Sequence, residues 1–424
     1  MIRFLIKGLI RDRSRSLLPV IVVTAGVMLT VAMHAYIKGF MGDSIELNAK
    51  FSYGHVKVMT RAYAEEADLI PNDLALVGTA ALKEELAEKF PGMVWAPRIR
   101  FAGLVDVPDE QGETRAQGPA MGLGLDLLSG DSREIERLDL GRAVVRGSLP
   151  EVRGQALLSE VFSRRLNIEP GDSFTLIASD MGGGLAMRNF EVAGTLSFGV
   201  EIMDRGTIIL DIEDARLALN MADAAGEILG FLPGSFYDDA EARKTADVFN
   251  AAYAGDSDEF APVMKSLSGQ GTLGTYVQFA DVWANYISLV FVGVMGLVLW
   301  NAGLLGGLRR YGEVGVRLAM GEEKGHVYGA MIVESVFIGI AGSVIGTALG
   351  LFIAGVIQKY GINIEGLMEG ASLMFPTVIR TRITPVSYYI GFIPGLAATV
   401  IGTALSGIGI FKRQTARLFK ELET

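Results

Sequence analysis

Apolar residues gather in four long runs. They lie at about Leu17–Tyr36 ("LLPVIVVTAGVMLTVAMHAY"), Tyr286–Leu308, Val327–Ile357 and Val386–Phe411. Crossing the hydrocarbon core of a bilayer takes roughly 20 apolar residues in a helix, and each run is long enough. None has a basic residue in its interior, and the third holds Glu334 near its start. Between the first two runs the pattern changes. "HVKVM", "RNFEVAGTLSF" and "RGTIILDI" read as strands, "TAALKEELAEKF" as a helix stopped by Pro91-Gly92, and "DIEDARLALNM" as a short helix. The pattern predicts an α-helical membrane protein with four transmembrane helices and a large α+β domain inserted between helices 1 and 2.

Ahead of the first run, Ile2, Leu5, Ile6, Leu9 and Ile10 share one helical face, and Arg3, Lys7 and Arg11 the other. That is an amphipathic helix lying on the inner membrane surface. The expected division is 1–40 for this helix and the first span, 41–281 for the inserted domain, 282–411 for spans two to four and 412–424 for the tail. The first run is too long for a signal peptide and has no clean cleavage site after it, so it reads as a retained anchor.

Charge sharpens the picture. The net charge of -10 is unevenly spread: residues 41–281 carry 39 acidic and 21 basic side chains, the rest 9 and 17. Basic residues crowd the first tail (Arg3, Lys7, Arg11, Arg13, Arg15), the link between spans two and three (Arg309, Arg310, Arg317, Lys324) and the end (Lys412, Arg413, Arg417, Lys420). The positive-inside rule puts these three on the cytoplasmic side, with both termini. The inserted domain then faces outward, and Arg380 and Arg382 in the shorter outer link are a mild violation. Mean hydropathy of +0.36 agrees with a membrane protein.

The chain has no cysteine and three separated histidines (His34, His55, His326), which excludes thiol chemistry and disfavours a histidine-rich metal site. It has no G-x-x-x-x-G-K-[ST] loop and no H-E-x-x-H, so no nucleotide or zinc-hydrolase site is expected, nor any catalytic residue. Glu334 lies close to the basic link, and a partner there explains it better than ion coupling does. Gly342, Gly346 and Gly350 recur every four residues and permit close helix approach, within the bundle or against a second copy.

The link "GLRRYGEVGVRLAMGEEKGHVYGAMIVESV" is charged, helix-compatible and flanked by spans on both sides. With Val314, Val316, Leu318, Ala319 and Met320 it forms an amphipathic segment at about 309–324, on which a partner can push. A surface loop held by lipid headgroups is the alternative.

This stretch, with Asn301 ahead of it and Arg310, Glu313, Gly315, Arg317 and Gly321 within it, resembles the coupling helix of FtsX/MacB-type ABC transporter permeases. The resemblance implies docking onto a separate cytoplasmic ABC ATPase dimer through Arg310, Glu313, Val314, Gly315, Arg317, Met320 and Gly321. ATP and Mg would then sit on that partner, with no cofactor in this chain. "IKGFMGDSIELNAKFSYGHVKVM", "APRIRFAGLVDV", "ALLSEVFSRRLNIEPGDSFTLIA" and "RNFEVAGTLSFGVEIMDRGTIILDIEDARLALNM" resemble the periplasmic domain of the lipoprotein-releasing subunits LolC and LolE. The chain departs from the family at its end, "GIFKRQTARLFKELET", which lacks the usual proline-containing run.

The resemblance implies a bacterial inner-membrane permease paired with a second, identical or homologous permease subunit. Such a permease extracts lipoproteins and passes them to a periplasmic carrier; it contacts membrane lipids and no nucleic acid. The loop "ASDMGGGLAM" lies where one permease type of the family grips the carrier, which singles out Met181, Leu185 and Met187. A flexible glycine-rich hairpin is the alternative. Val27, Met28, Val31, Ile287, Val290, Phe291 and Val294 are expected along the acyl-chain path, although core packing explains each equally well. MacB-like efflux through a periplasmic adaptor, and FtsX-like signalling to a cell-wall hydrolase, are the competing readings.

Overall fold

The computed structural model describes residues 13–234, 237–308, 311–363 and 378–412. The amphipathic segment at residues 2–11, Arg310 and the tail from residue 413 lie outside the described residues. The chain forms two compact units. One comprises Gly42–Phe279 with Asn363–Val378, the other Met1–Met41, Ala280–Ile362 and Ile379–Thr424.

Four helices are long and apolar enough to cross a membrane: Leu17–Tyr53, Val282–Gly306, Lys324–Tyr360 and Pro385–Phe411. The first-span helix does not stop at Tyr36. It runs Arg13–Asn48, 36 residues, about 54 Å at ~1.5 Å per residue. The bilayer core is only ~30 Å thick. Ile37, Met41 and Ile45 keep a four-residue apolar spacing past Tyr36, and no proline interrupts it. The helix ends in a π-helical turn, Ala49–Tyr53, closed by Gly54 in the left-handed region. The second-span helix likewise starts early, at Gly271.

Small residues hold the bundle. A Cβ on Gly342 would lie 2.7 Å from Val23 Cβ, on Gly346 2.6 Å from the Thr24 carbonyl, and on Gly350 2.8 Å from Val31 Cβ. The glycine face of span three is therefore filled by span one of the same chain. Gly391 and Gly395 of the fourth segment press on Val27 from the other side. Polar groups tie the same bundle. Buried His34 of span one places Nδ1 3.1 Å from Ser288 Oγ of span two and Nε2 3.3 Å from Thr384 Oγ1 ahead of span four. Thr381 Oγ1 donates to the Ala354 carbonyl of span three at 2.6 Å. Hydroxyls and imidazole can pair in this way where water is absent.

The other unit is built on one mixed sheet. Its strands are β1 (Val56–Thr60), β3 (Val94–Pro108), β4 (Thr114–Leu125), β5 (Val144–Gly147), β6 (Gln155–Ser159), β7 (Ser173–Ser179), β8 (Leu185–Leu196), β9 (Thr207–Asp211), β11 (Glu227–Phe231) and β12 (Pro262–Ser266). Short strands β2 (Leu76–Val77) and β10 (Ala224–Ala225) pair separately. The order is β12-β1-β11-β3-β4-β9-β6-β8-β5, with β7 pairing β3 and β8. β4·β9 and β6·β8 are parallel, and the other pairs of this sheet are antiparallel.

Two lobes share β3. In the first, Val56, Val58, Trp95, Ile228 and Met264 pack under the helices Thr79–Lys89 and Asp239–Ala252. In the second, Phe101, Phe162, Phe174 and Phe190 fill one core, and Leu123, Leu125, Leu138, Phe198 and Phe51 another. The four segments read as strands or helix from local pattern take those forms: "HVKVM" in β1, "RNFEVAGTLSF" in β8, "RGTIILDI" in β9, and "TAALKEELAEKF" in the helix ending at Lys89. The short helix Ile212–Ala218 is capped by Asp211, whose side chain accepts the Glu213 N–H at 3.0 Å.

Candidate functional site

The link between spans two and three contains a helix, Tyr311–Ala319. Its apolar residues do not all point the same way. Val314 is buried with Val327 and Met331 of span three and Ile410 at the end of span four, and Leu318 packs against them. Gly315 is buried as well. Glu313, Val316 and Met320 are exposed, Met320 at 76%. Val314, expected among the docking residues, thus packs against the bundle, because the helix needs an apolar face on which to rest. The exposed face carries Glu313, Val316, Met320 and part of Arg317.

The helix stops at Gly321, whose φ of +94° suits glycine alone. The Gly321 N–H donates to the Leu318 carbonyl at 3.1 Å and the Glu322 N–H to the Arg317 carbonyl at 3.1 Å. Glu322 then turns back. One oxygen meets His326 Nδ1 at 3.0 Å and the other Arg317 Nε at 3.9 Å. Tyr328 donates to the Ala404 carbonyl at 3.2 Å and stacks edgewise on Phe411 at 5.5 Å, tying span three to span four just beyond the helix.

At the other end of the spans several exposed side chains are aromatic. Trp283 and Tyr286 open span two, Tyr360 closes span three, and Tyr388 and Tyr389 open span four. Trp283 and Tyr286 contact edgewise at 6.0 Å, and Lys359 lies 5.4 Å over the Tyr360 ring. Such rings favour the headgroup layer, so they mark one boundary of the bilayer.

The expected acyl-chain path divides. Ile287, Val290 and Val294 are exposed along one face of span two, with Phe291 half-buried beside them. Val27 and Val31 are not on any outer surface. They are sealed between Gly346, Gly350, Gly391 and Gly395, and Met28 is half-buried. Sequence alone could not separate these faces, because all sides of span one are apolar.

The loop "ASDMGGGLAM" is the turn of the β7–β8 hairpin. Asp180 and Gly184 close it, with the Asp180 N–H donating to the Gly184 carbonyl at 2.8 Å, and Gly183 takes φ +81°. Leu185 and Met187 are 72% and 63% exposed, two residues apart and so on one face of β8. Met181 instead packs partly against the second lobe's core, its N–H bound to the Leu219 carbonyl at 2.8 Å. Sequence reasoning passed over His34 and Arg98. A lone polar residue in an apolar run was the available signal for the first.

Residues 285–415 match the family model described as FtsX-like permease C-terminal. This segment holds spans two to four and the Tyr311–Ala319 helix, so the permease-like part of the chain includes the whole candidate coupling region. No curated protein matches the chain. The crystal structure of the periplasmic region of MacB from Actinobacillus actinomycetemcomitans is similar at a TM-score of 0.36 and 11% identity, over 55% of this chain and 95% of that one. That likeness is too distant to carry function. The chain joins an FtsX-like permease segment to a large α+β domain inserted after its first apolar helix.

Proposed function

We propose that this protein is the permease subunit of an ABC transporter which works with a separate ATPase to release lipoproteins from the inner membrane to a periplasmic carrier. The observation that carries the reading is the two-faced Tyr311–Ala319 helix. Val314 and Leu318 fasten it to the feet of spans three and four, while Val316 and Met320 lie exposed on its open face. A load on the open face is delivered directly to two spans. The match of residues 285–415 to the FtsX-like permease family supports a partner of the ATPase kind. The exposed stripe of Ile287, Val290 and Val294 suits acyl chains, and Leu185 with Met187 suits an apolar carrier surface.

The deciding experiment is purification of the tagged full chain from native membranes in mild detergent, with mass spectrometry of everything retained, acylated peptides included. An ATPase together with acylated lipoproteins is the expected result, and a co-purified second permease would show a mixed pair. An ATPase with a periplasmic adaptor and no lipoprotein would replace the reading with efflux. Retention of a cell-wall hydrolase would replace it with signalling, and absence of any ATPase would overturn it.

A further inference from the structure

Strand β3 changes partners in mid-course. Val94–Arg98 pair with β11, and from Ile99 the strand pairs with β4. Arg98, opposite Glu227, is the last residue of the first pairing, and it is wholly buried. A guanidinium keeps its charge and carries five N–H donors, so its burial demands a matching set of acceptors. Arg98 Nε and Nη2 donate to Glu134 Oε2 at 2.9 and 2.6 Å. Nη2 also donates to the Lys50 carbonyl at 2.8 Å, and Nη1 donates to the Phe51 carbonyl. Lys50 and Phe51 lie in the π-helical turn that ends the first-span helix. Carbonyls at a helix end lack intrahelical donors and carry partial negative charge. One side chain thus joins β3, the end of the first-span helix and the short helix Glu134–Leu138.

The surroundings reinforce this joint. Buried Glu134 takes a second ion pair from Arg137, whose guanidinium lies 3.9 Å over the Phe231 ring. Lys57 and Glu227 pair at 2.6 Å on adjacent strands, and Arg100 Nε reaches the same carboxylate at 3.3 Å. Phe51 is seated in the second lobe, edge-on to Phe198 at 5.7 Å. On the first lobe's side, His55 Nδ1 accepts the Leu232 N–H at 3.0 Å, which leaves Nε2 to donate to Glu46 of the same helix at 3.0 Å.

We propose that Arg98 is the positioning residue through which movement of the first-span helix end reaches both lobes. Apolar contacts can slide, but a planar fork with acceptors on two sides is satisfied in one geometry. Separation would leave a buried charge unpaired, so the three elements move together. The link to transport rests on the permease reading, whereas the joint itself does not.

The test uses the full chain in nanodiscs. Because the protein has no cysteine, Ala87→Cys in the first lobe and Arg188→Cys in the second give a unique pair of spin-label sites. Ala87→Cys with Asp247→Cys, both in the first lobe, is the control pair. Arg98→Lys keeps the charge but loses the fork, and Glu134→Gln weakens its anchor. In either variant the inter-lobe distance distribution should broaden while the control stays narrow. An unchanged inter-lobe distribution, or equal broadening of both pairs, would overturn the proposal. In the complex with its ATPase, Arg98→Lys should spare ATP hydrolysis and cut cargo released per ATP by about ten-fold. Unaltered release with loosened lobes would also overturn it. If the unaltered complex releases no lipoprotein, the permease reading fails, and the spin-label result still decides the joint.

Discussion

Leu185 and Met187 stand on one face of β8, beside a turn that needs no large side chain. Neither contributes to a core, so replacing one should cost the fold little. Met187→Asp should therefore leave the thermal unfolding midpoint nearly unchanged and weaken capture of a periplasmic carrier in a pull-down. Unchanged capture would retire these residues as a docking face. Glu160 is the opposite case, a carboxylate buried for structural reasons. It accepts from Thr195 Oγ1 at 2.6 Å, Arg164 Nε at 2.6 Å and Arg146 Nε at 3.0 Å. Burial alone would raise its pKa, but these donors outweigh burial and hold it below the ordinary 4.5. Its contribution, about 1–3 kcal/mol, is present in full above that ordinary value. It is lost as pH falls through the lowered folded value. The stability difference between wild type and Glu160→Gln should accordingly be constant near neutrality and shrink below pH 4.5. Unfolding midpoints measured across that range would show it.

Among the elements, the Tyr311–Ala319 helix and the face between spans one and three invite direct tests. Glu313 lies on the helix's exposed face, away from the buried Val314 side. Reversing its charge in Glu313→Arg should reduce ATPase association or cargo release while leaving membrane insertion intact, as read by co-purification and a release assay. Full activity would sink the lever. Gly346→Leu would force side-chain atoms into the Thr24 carbonyl and Val27. Overpacking of this kind costs roughly 1–3 kcal/mol or more, so folded yield and melting temperature in detergent should both fall. At this scale the chain is partly legible. Length and apolarity mark the spans, and charges mark the link. Which of Val314 and Val316 faces inward is not marked, because that depends on Val327, Met331 and Ile410 arriving from other helices.

For the molecule as a whole, the limits of legibility follow sequence distance. The apolar runs and the acidic insert are local features of composition, and they outline four spans with an α+β domain between the first two. The insert's inner plan is not local. "APRIRF" alternates arginine with apolar residues. In the folded domain Arg98 is dry, because Lys50, Phe51 and Glu134 come from far along the chain to receive it. The sharing of β3 between two lobes also escapes any single window, since β4 follows it across a short turn whereas β11 lies far beyond it in the sequence. Buried charges of this kind add little net stability, but losing one partner leaves a costly unpaired charge.

The glycines at 342, 346 and 350 also bear on how this protein can change over generations. Glycine is the smallest residue, so every substitution at these positions adds atoms to a contact already closer than a Cβ allows. The joint between the first and third spans can be relaxed by inheritance from one side only, the side of Val23, Val27 and Val31. A saturation library should show a band of intolerance recurring every fourth position in the third span. Revertants of a mild lesion such as Gly342→Ala, whose added Cβ would meet Val23 Cβ and Cγ1, should carry a smaller residue at Val23 more often than a second change nearby in span three.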